Sequence, residues 1–260
     1  MQYALYSAAV LGNILIMVIV HLFETLVIMH IVTGTVGLFS LWIPIITKKG
    51  NRLHRNTGRI FVYSMLSTGT IAIGISSCTI TDPIATHPHL LDHPDFGTAD
   101  SVRVIFGWMM LYLAFLTINL AWYGWRCVQT KLNREANRRW ENIISQIILL
   151  ILSINCLYHG LIADQVLVSG ISIVGLATVA TNMWFLYKPK VGKLDWLLEH
   201  IKGLVGAGIS VYTAFLAFGA VRLLPQAALT PILWSIPLIT GMAIIIYQQH
   251  LVRSKLVRAS

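Results

Sequence analysis

Long uninterrupted runs of apolar residues, rather than alternating apolar and polar positions, dominate this chain of 260 residues. Several runs exceed the roughly 18 to 20 residues that a helix needs to cross the hydrocarbon core of a bilayer. Lipid offers no partners to backbone amides and carbonyls, so a crossing segment must be a helix or part of a closed barrel. Because the runs do not alternate, they predict an all-α, polytopic transmembrane helix bundle that forms a single integral membrane domain over residues 1–260. The eight predicted spans are 3–20, 25–47, 58–80, 102–126, 142–163, 167–187, 201–222 and 230–250.

The boundary between the first two predicted spans is only weakly marked. No cluster of Pro or Gly interrupts residues 3–47, and only His21 and Glu24 indicate where the chain would meet water. One long tilted helix over part of this stretch is therefore an open alternative. The segment 81–101 is different, because its prolines and aspartates favour turns and exclude a span. It is predicted to be the one long external loop.

Composition supports the membrane assignment. Hydrophobic residues make up 56% of the chain and charged residues only 11%, whereas about a quarter of a typical soluble domain is charged. The mean hydropathy is +0.73. The net charge of +9 would suggest nucleic acid as a partner of a soluble protein. Here the basic residues lie in short loops between spans, so no nucleic-acid partner is expected.

The basic residues predict the orientation. With eight spans and both termini in the cytoplasm, every Lys and Arg except Arg103 and Arg222 falls on the cytoplasmic side. Such an asymmetry is the usual topological signal of inner-membrane proteins, and it predicts a bacterial-type inner (plasma) membrane. The cytoplasmic groups are Lys48, Lys49, Arg52, Arg55 and Arg59, then Arg126, Lys131, Arg134, Arg138 and Arg139, then Lys188, Lys190, Lys193 and Lys202, and last Arg253, Lys255 and Arg258.

Two histidines lie inside predicted spans at matching depths. His30 and His159 both lie about 6 to 8 Å below the outer ends of their spans. Two histidines on facing helices are what bis-imidazole haem ligation requires, and Arg103 on the outer side would neutralise a haem propionate. Ionisable residues inside spans are costly and usually functional. A hydrogen bond from each ring to a neighbouring helix, and a proton relay, are the alternatives.

Further titratable residues fall on the predicted outer side. His21 and Glu24 share a helix face. With His30 and with Asp164, just beyond the fifth span, they would form a ring of carboxylates and imidazoles that binds a divalent metal or passes protons. In the external loop, His87, His89 and His93 are candidate ligands for copper or zinc. The alternatives are an interfacial hydrogen-bond network and ordinary surface histidines.

The densest cytoplasmic feature is the segment KKGNRLHRNTGR, residues 48–59. Its Lys49, His54, Arg55 and Arg59 would meet anionic lipid headgroups, each basic residue contributing about 1 kcal/mol near the surface. A functional alternative is contact with an anion, a quinone headgroup or a nucleotide phosphate.

The same region carries a resemblance. The chain reads HIVTG at residues 30–34, KGNRLHRNTGR at 49–59 and then a span with Met65. These pieces resemble the HIxxG and KGxxxHRxxGR motifs of a family of bacterial predicted inner-membrane proteins, catalogued only as a domain of unknown function. The resemblance covers about residues 22–80 and implies a membrane location without an activity. A second basic motif of that family is matched by NRRWEN, residues 137–142, without its histidine.

These observations favour a redox-type membrane protein that binds haem b or a transition metal (copper, zinc or iron) near the outer leaflet. A proton-coupled transporter that uses the same residues as a relay is the second hypothesis, and a non-catalytic membrane subunit or assembly factor is the third. The expected partners are the lipid bilayer, anionic headgroups and a quinone or a membrane partner subunit. No Walker loop, G-x-S-x-G, H-E-x-x-H or C-x-x-C motif is present, and an enzymatic activity is left open.

Overall fold

The computed structural model describes residues 2–90, 97–217, 219 and 230–259. Within these residues every regular element is a helix. Six helical segments there are long and apolar enough to cross a membrane, as an integral membrane protein requires. These candidate spans are Val10–Ile46, Arg52–Thr81, Ala99–Thr130, Trp140–Ile162, Val166–Tyr187 and Ser235–Ser254.

The first helix, α1, is continuous over Gln2–Ser40. The break predicted at residues 21–24 is absent, and the structure has the alternative of one long helix over part of this stretch. It joins the predicted span 3–20 to most of the predicted span 25–47 in 39 residues, about 58 Å long. Nothing in the sequence stops the helix there, because His21 and Glu24 are good neighbours one turn apart. The Thr25 hydroxyl also donates a hydrogen bond to the backbone carbonyl of His21 at 2.8 Å.

The helix is interrupted further along the chain, because Pro44 lacks the amide that would pair with the carbonyl of Ser40. The chain leaves the helix at Leu41 and continues as α2, Trp42–Ile46. A tight turn follows, in which Gly50 adopts a positive φ of 78°. Asn51 then caps α3, Arg52–Thr81, by accepting a hydrogen bond from the amide of His54 at 2.7 Å.

The predicted external loop is partly helical. Pro83–Thr86 forms the short helix α4, and a single tighter turn follows at Pro88–Leu90. The next span begins with α5, Ala99–Val102, passes through a wider π-helical segment at Arg103–Met109 and continues as α6, Met110–Thr130. Gly107 in the wider segment lies directly against Ile80 of α3.

The remaining helices overlap the predicted spans, but the helix at the predicted seventh span is not among the six candidate spans. A short helix α7, Arg134–Asn137, precedes α8, Trp140–Ile162, and α9 spans Val166–Tyr187. The last two are α10, Asp195–Ala217, and α11, Pro231–Ala259. The predicted end of the seventh span at residue 222 and the predicted start of the eighth at 230 flank 220–229, which lie outside the described residues.

Neighbouring helices fix an order across the bundle. α1 packs on α3, α3 on α6, and α6 on both α8 and α10, while α9 packs on α8 and α11 on α10. Contacts between two of the basic segments, 126–139 and 188–202, place them at one end: His200 donates from Nδ1 to the carbonyl of Gly124 at 3.0 Å, and Arg138 donates to the carbonyl of Leu186 at 2.8 Å. We call this the basic end.

A very close helix approach joins α6 to α10. A Cβ on Gly203 would lie only 2.7 Å from the Cα of Gly124 and 2.9 Å from the carbonyl oxygen of Leu120. Only glycine lets two backbones come this close, the arrangement that small residues provide between membrane helices. By contrast, Gly12 on α1 has no atom within 4 Å of the corresponding position.

We expect Gly203→Ala to lower the free energy of unfolding by about 1 to 3 kcal/mol, because the added methyl meets backbone that cannot rotate away. Gly12→Ala is the matched control, and it should be neutral or slightly stabilising because alanine favours the helix. Thermal unfolding of both variants in detergent measures the difference. Equal midpoints would contradict the close α6–α10 approach.

Candidate functional site

His30 acts as a link between α1 and α3. Its Nδ1 donates to the carbonyl of Thr68 at 3.2 Å. The same interface contains a hydroxyl pair, in which Thr68 donates to Thr33 at 2.9 Å, and a bond from Ser64 to the carbonyl of Thr33. This geometry matches the alternative in which the ring bonds to a neighbouring helix.

His159 lies in different surroundings. Its ring stacks on the indole of Trp108, with centroids 5.4 Å apart and planes inclined by 10°. α8, which carries His159, packs on α9 and α6, whereas α1, which carries His30, packs on α3. With α3 and α6 lying between the two helices, the structure does not bring these histidines together as a pair of axial ligands.

Arg103, which is predicted to neutralise a haem propionate, instead bonds to groups of the protein near the start of its own helix. Its Nε donates to the carbonyl of Ile80 at 3.2 Å, and its guanidinium pairs with Asp100. The residue therefore ties the start of the third candidate span to the end of α3.

The predicted ring of carboxylates and imidazoles does not form either. His21 and Glu24 face each other at 3.8 Å, but their side chains are about two-thirds or more exposed, on the side of α1 away from α3. His30 faces α3, and Asp164 occupies the turn between α8 and α9 with a φ of 51°. Among the described residues, no group of three His, Cys, Asp or Glu side chains is placed to hold a metal ion.

The loop histidines are split between a packed and an exposed position. The His87 ring contacts Phe23 of α1 at 5.1 Å and receives or donates a hydrogen bond with the Thr86 hydroxyl at 3.1 Å. His89, 6.1 Å away between centroids, is exposed. Burial, and then the neighbouring His89, lower the pKa of His87 to about 4. His93 lies outside the described residues.

The basic motif at residues 48–59 divides in the same way. Lys49 donates to the carbonyls of Pro44 and Ile45, and His54 donates from Nδ1 to Pro44 at 3.0 Å. A cation at the C-terminal end of a helix complements its dipole, and partial burial lowers the pKa of Lys49. Arg55 and Arg59 are exposed on α3 and free to reach headgroups.

The most unusual buried chemistry was missed by the sequence reasoning. Three carboxamides meet between α6, α8 and α9, about 8 to 10 Å from the basic ends of α8 and α9. Asn182 donates to Gln146 at 3.2 Å and to Asn119 at 3.5 Å, and Asn119 donates to the Ser145 hydroxyl at 2.9 Å. We call Asn119, Gln146 and Asn182 the carboxamide cluster; all three are at most 1% exposed.

The carboxamide cluster is incompletely paired. Nε2 of Gln146 and Oδ1 of Asn182 have no hydrogen-bond partner, and neither has Oδ1 of Asn142, one turn away on α8. Leaving one such buried group unpaired costs about 1 to 3 kcal/mol. Native interiors rarely retain several unpaired groups together without a reason.

An ionic group lies one turn closer to the basic end. The Tyr123 hydroxyl donates to Oε2 of Glu199 at 2.7 Å, and Lys202 pairs with the same carboxylate. Lys202 also donates to the Thr181 hydroxyl at 3.2 Å, next to Asn182 in the chain. The Glu199 and Lys202 side chains are only 17% and 23% exposed. We call Tyr123, Thr181, Glu199 and Lys202 the ionic cluster.

A periodic signal in the sequence marks this region. On α8 the buried positions recur every three or four residues and are mostly polar or small: Asn142, Gln146, Leu149, Ser153, Cys156 and Gly160. A membrane helix normally directs apolar side chains to lipid, so its polar stripe identifies the face turned into the protein. Asn119 and Tyr123, four residues apart on α6, repeat the pattern.

Comparison with protein families, with curated proteins and with solved structures finds no match to this chain. The resemblance of residues 22–80 to a bacterial inner-membrane family accordingly stays a prediction. Any function assigned to this chain therefore rests on the arrangement of its side chains.

Lowering the pH from 7 to 5 should reduce the thermal stability of the protein through His87. Its folded-state pKa of about 4 lies below the ordinary value near 6.5, so the unfolded chain binds the proton first. The stability that neutral His87 contributes is complete above about pH 6.5 and is lost as the pH falls towards 4. In His87→Gln the acid-induced drop in melting temperature should shrink. The exposed His250→Gln variant should retain the drop, and an undiminished drop in His87→Gln would refute this assignment.

Proposed function

We propose that this protein is a proton-coupled permease whose translocation route follows α6, α8, α9 and α10. The observation that supports it is the contiguity of the half-buried ionic cluster with the incompletely paired carboxamide cluster, one turn deeper. Polar and ionisable groups inside a membrane protein are costly and mark substrate or ion pathways. A proton-coupled transporter is also the second hypothesis from the sequence, but there the predicted relay uses the outer histidines and carboxylates. The residues proposed here are different ones.

Glu199 is the proposed proton-binding residue. While it is ionised, it joins α10 to α6 through Tyr123, and its partner Lys202 joins α10 to α9 through Thr181. Protonation would remove the negative charge that Lys202 requires and leave an unpaired ammonium group in partly buried surroundings. The helix contacts around α10 would then weaken, which provides a physical link between proton binding and helix movement.

The proposed orientation places the basic end in the cytoplasm of a bacterial cell, following the positive-inside rule. The segments around residues 48–59, 126–139, 188–202 and 253 stay on that side whether or not α1 is interrupted. With α1 continuous, and with α10 proposed to cross the membrane in addition to the six candidate spans, the N-terminus lies on the opposite side from the C-terminus. The apolar side chains of residues 10–18 are exposed on α1, and they would pack against lipid or against the predicted membrane partner subunit.

A reporter fused to the N-terminus should be accessible from outside the cell, while one fused to the C-terminus should be accessible only from the cytoplasm. Accessibility to an impermeant reagent in intact cells and in lysed cells measures both. A cytoplasmic N-terminus would contradict this orientation, because it requires an even number of crossings, either the eight predicted spans or the six candidate spans without α10.

We expect proteoliposomes that contain the protein to admit protons when a potassium–valinomycin potential is imposed, with Glu199→Gln reducing the rate to that of empty liposomes. The amide keeps the shape of the carboxylate but cannot bind and release the proton. Glu141→Gln, which removes only a surface ion pair with Arg139, should conduct as the wild type does. An entrapped pH-sensitive dye reports the rate, and full conduction by Glu199→Gln would rule out this coupling residue.

The redox hypothesis stays a separate prediction, as does its cofactor. A Soret band in the purified protein that disappears in His30→Ala, but persists in His250→Ala, would favour haem binding over the permease. The quinone partner likewise stays a prediction.

A further inference from the structure

The carboxamide cluster contains a half-formed pair of amides. Two facing carboxamides can exchange two hydrogen bonds, one in each direction. Here Asn182 donates to Oε1 of Gln146 at 3.2 Å, but Nε2 of Gln146 does not return a bond to Oδ1 of Asn182. One donor and one acceptor therefore remain open on adjacent side chains of α8 and α9.

Both open atoms are buried and surrounded by protein. Gln146 is 1% exposed and Asn182 is fully buried. The side chains toward the outer end offer no substitute partner, since Leu149 lies next along the buried face of α8. The third carboxamide, Asn119, already accepts from Asn182 and donates to Ser145.

An open donor beside an open acceptor is complementary to a particular chemistry. A primary amide presents a carbonyl oxygen and an N–H on one edge of a planar group. Such an edge would accept from Nε2 of Gln146 and donate to Oδ1 of Asn182. An anion would meet the unpaired acceptor oxygens of Asn182 and Asn142, and a cation would meet the donor of Gln146, so the cluster favours a neutral solute.

We propose that the carboxamide cluster is the binding site for a small neutral amide, held by Gln146 and Asn182, and that such a solute is what the protein translocates. This rests on the proposed permease function. The site is closed in this structure, and the solute enters when α10 and its neighbours separate. Sites built to hydrogen-bond a polar substrate discriminate strongly, because an unsuitable solute leaves buried polar groups unpaired.

The test uses urea as the probe amide and full-length protein in proteoliposomes. We expect wild-type protein to raise urea uptake clearly above that of empty liposomes. Gln146→Met keeps the length of the side chain but lacks the open donor Nε2, and also the acceptor Oε1 that pairs with Asn182. It should reduce the protein-dependent uptake about tenfold, the factor that corresponds to one lost hydrogen bond to the solute. Gln248→Met, on α11 outside the cluster, should leave uptake unchanged.

A second measurement separates binding from a purely structural role. If Gln146 only joins helices, Gln146→Met should lower the melting temperature along with uptake. If it serves a ligand, the melting temperature should change little, because the variant removes an unpaired buried donor, which stabilises, together with the acceptor of the bond from Asn182, which destabilises. A fall in stability with no selective loss of urea uptake would overturn the proposal.

Further outcomes distinguish the proposed amide-binding site from the proposed proton coupling through Glu199. Urea uptake that depends on Gln146 but not on a proton gradient or Glu199 would support the amide site and overturn the permease's proton coupling. Proton conduction through Glu199 without urea uptake would overturn the amide site and leave the coupling intact. Osmotic water flow without urea flow would also overturn the amide site, because the cluster would then hold water alone.

Discussion

A polar group in the hydrocarbon core must find its partner within the protein, and the rest of this structure follows from that constraint. Backbone groups satisfy it by forming helices throughout the described residues. Side chains satisfy it by bonding across helix interfaces, as His30 does to the carbonyl of Thr68. Where the constraint is not fully met, at Gln146 and Asn182, the cost of the open groups is the strongest indication of function.

Close packing makes these interhelical bonds feasible. Gly124 and Gly203 allow α6 and α10 to touch backbone to backbone, and this contact lies one residue from Tyr123, whose hydroxyl reaches Glu199 at 2.7 Å. The same helix pair also carries the bond from His200 to the carbonyl of Gly124. Packing and electrostatics at the basic end are thus parts of one arrangement, in which Glu199 lies beside the close contact between α6 and α10.

The positions of the histidines show how a plausible pattern can fail to form a site. His30 and His159 share a depth, which the rise of a helix determines from sequence alone. Whether they meet depends on the order of helices around the bundle, and α3 and α6 lie between α1 and α8. The buried stripe of α8, by contrast, could have been recognised from the spacing of Asn142, Gln146 and Ser153, because four- and seven-residue intervals return to one helix face.

The sequence by itself determined the helical class, most of the span positions and the grouping of the basic residues, because apolar length and charge distribution act locally along the chain. It also placed the turn at Gly50, where a positive φ is needed. Only the tertiary structure decided that α1 continues through His21 and Glu24, and that three carboxamides from separate helices converge while two histidines at equal depth do not. Those outcomes depend on which helix faces meet, and contacts between distant segments are set by the packing of the whole bundle rather than by any local pattern.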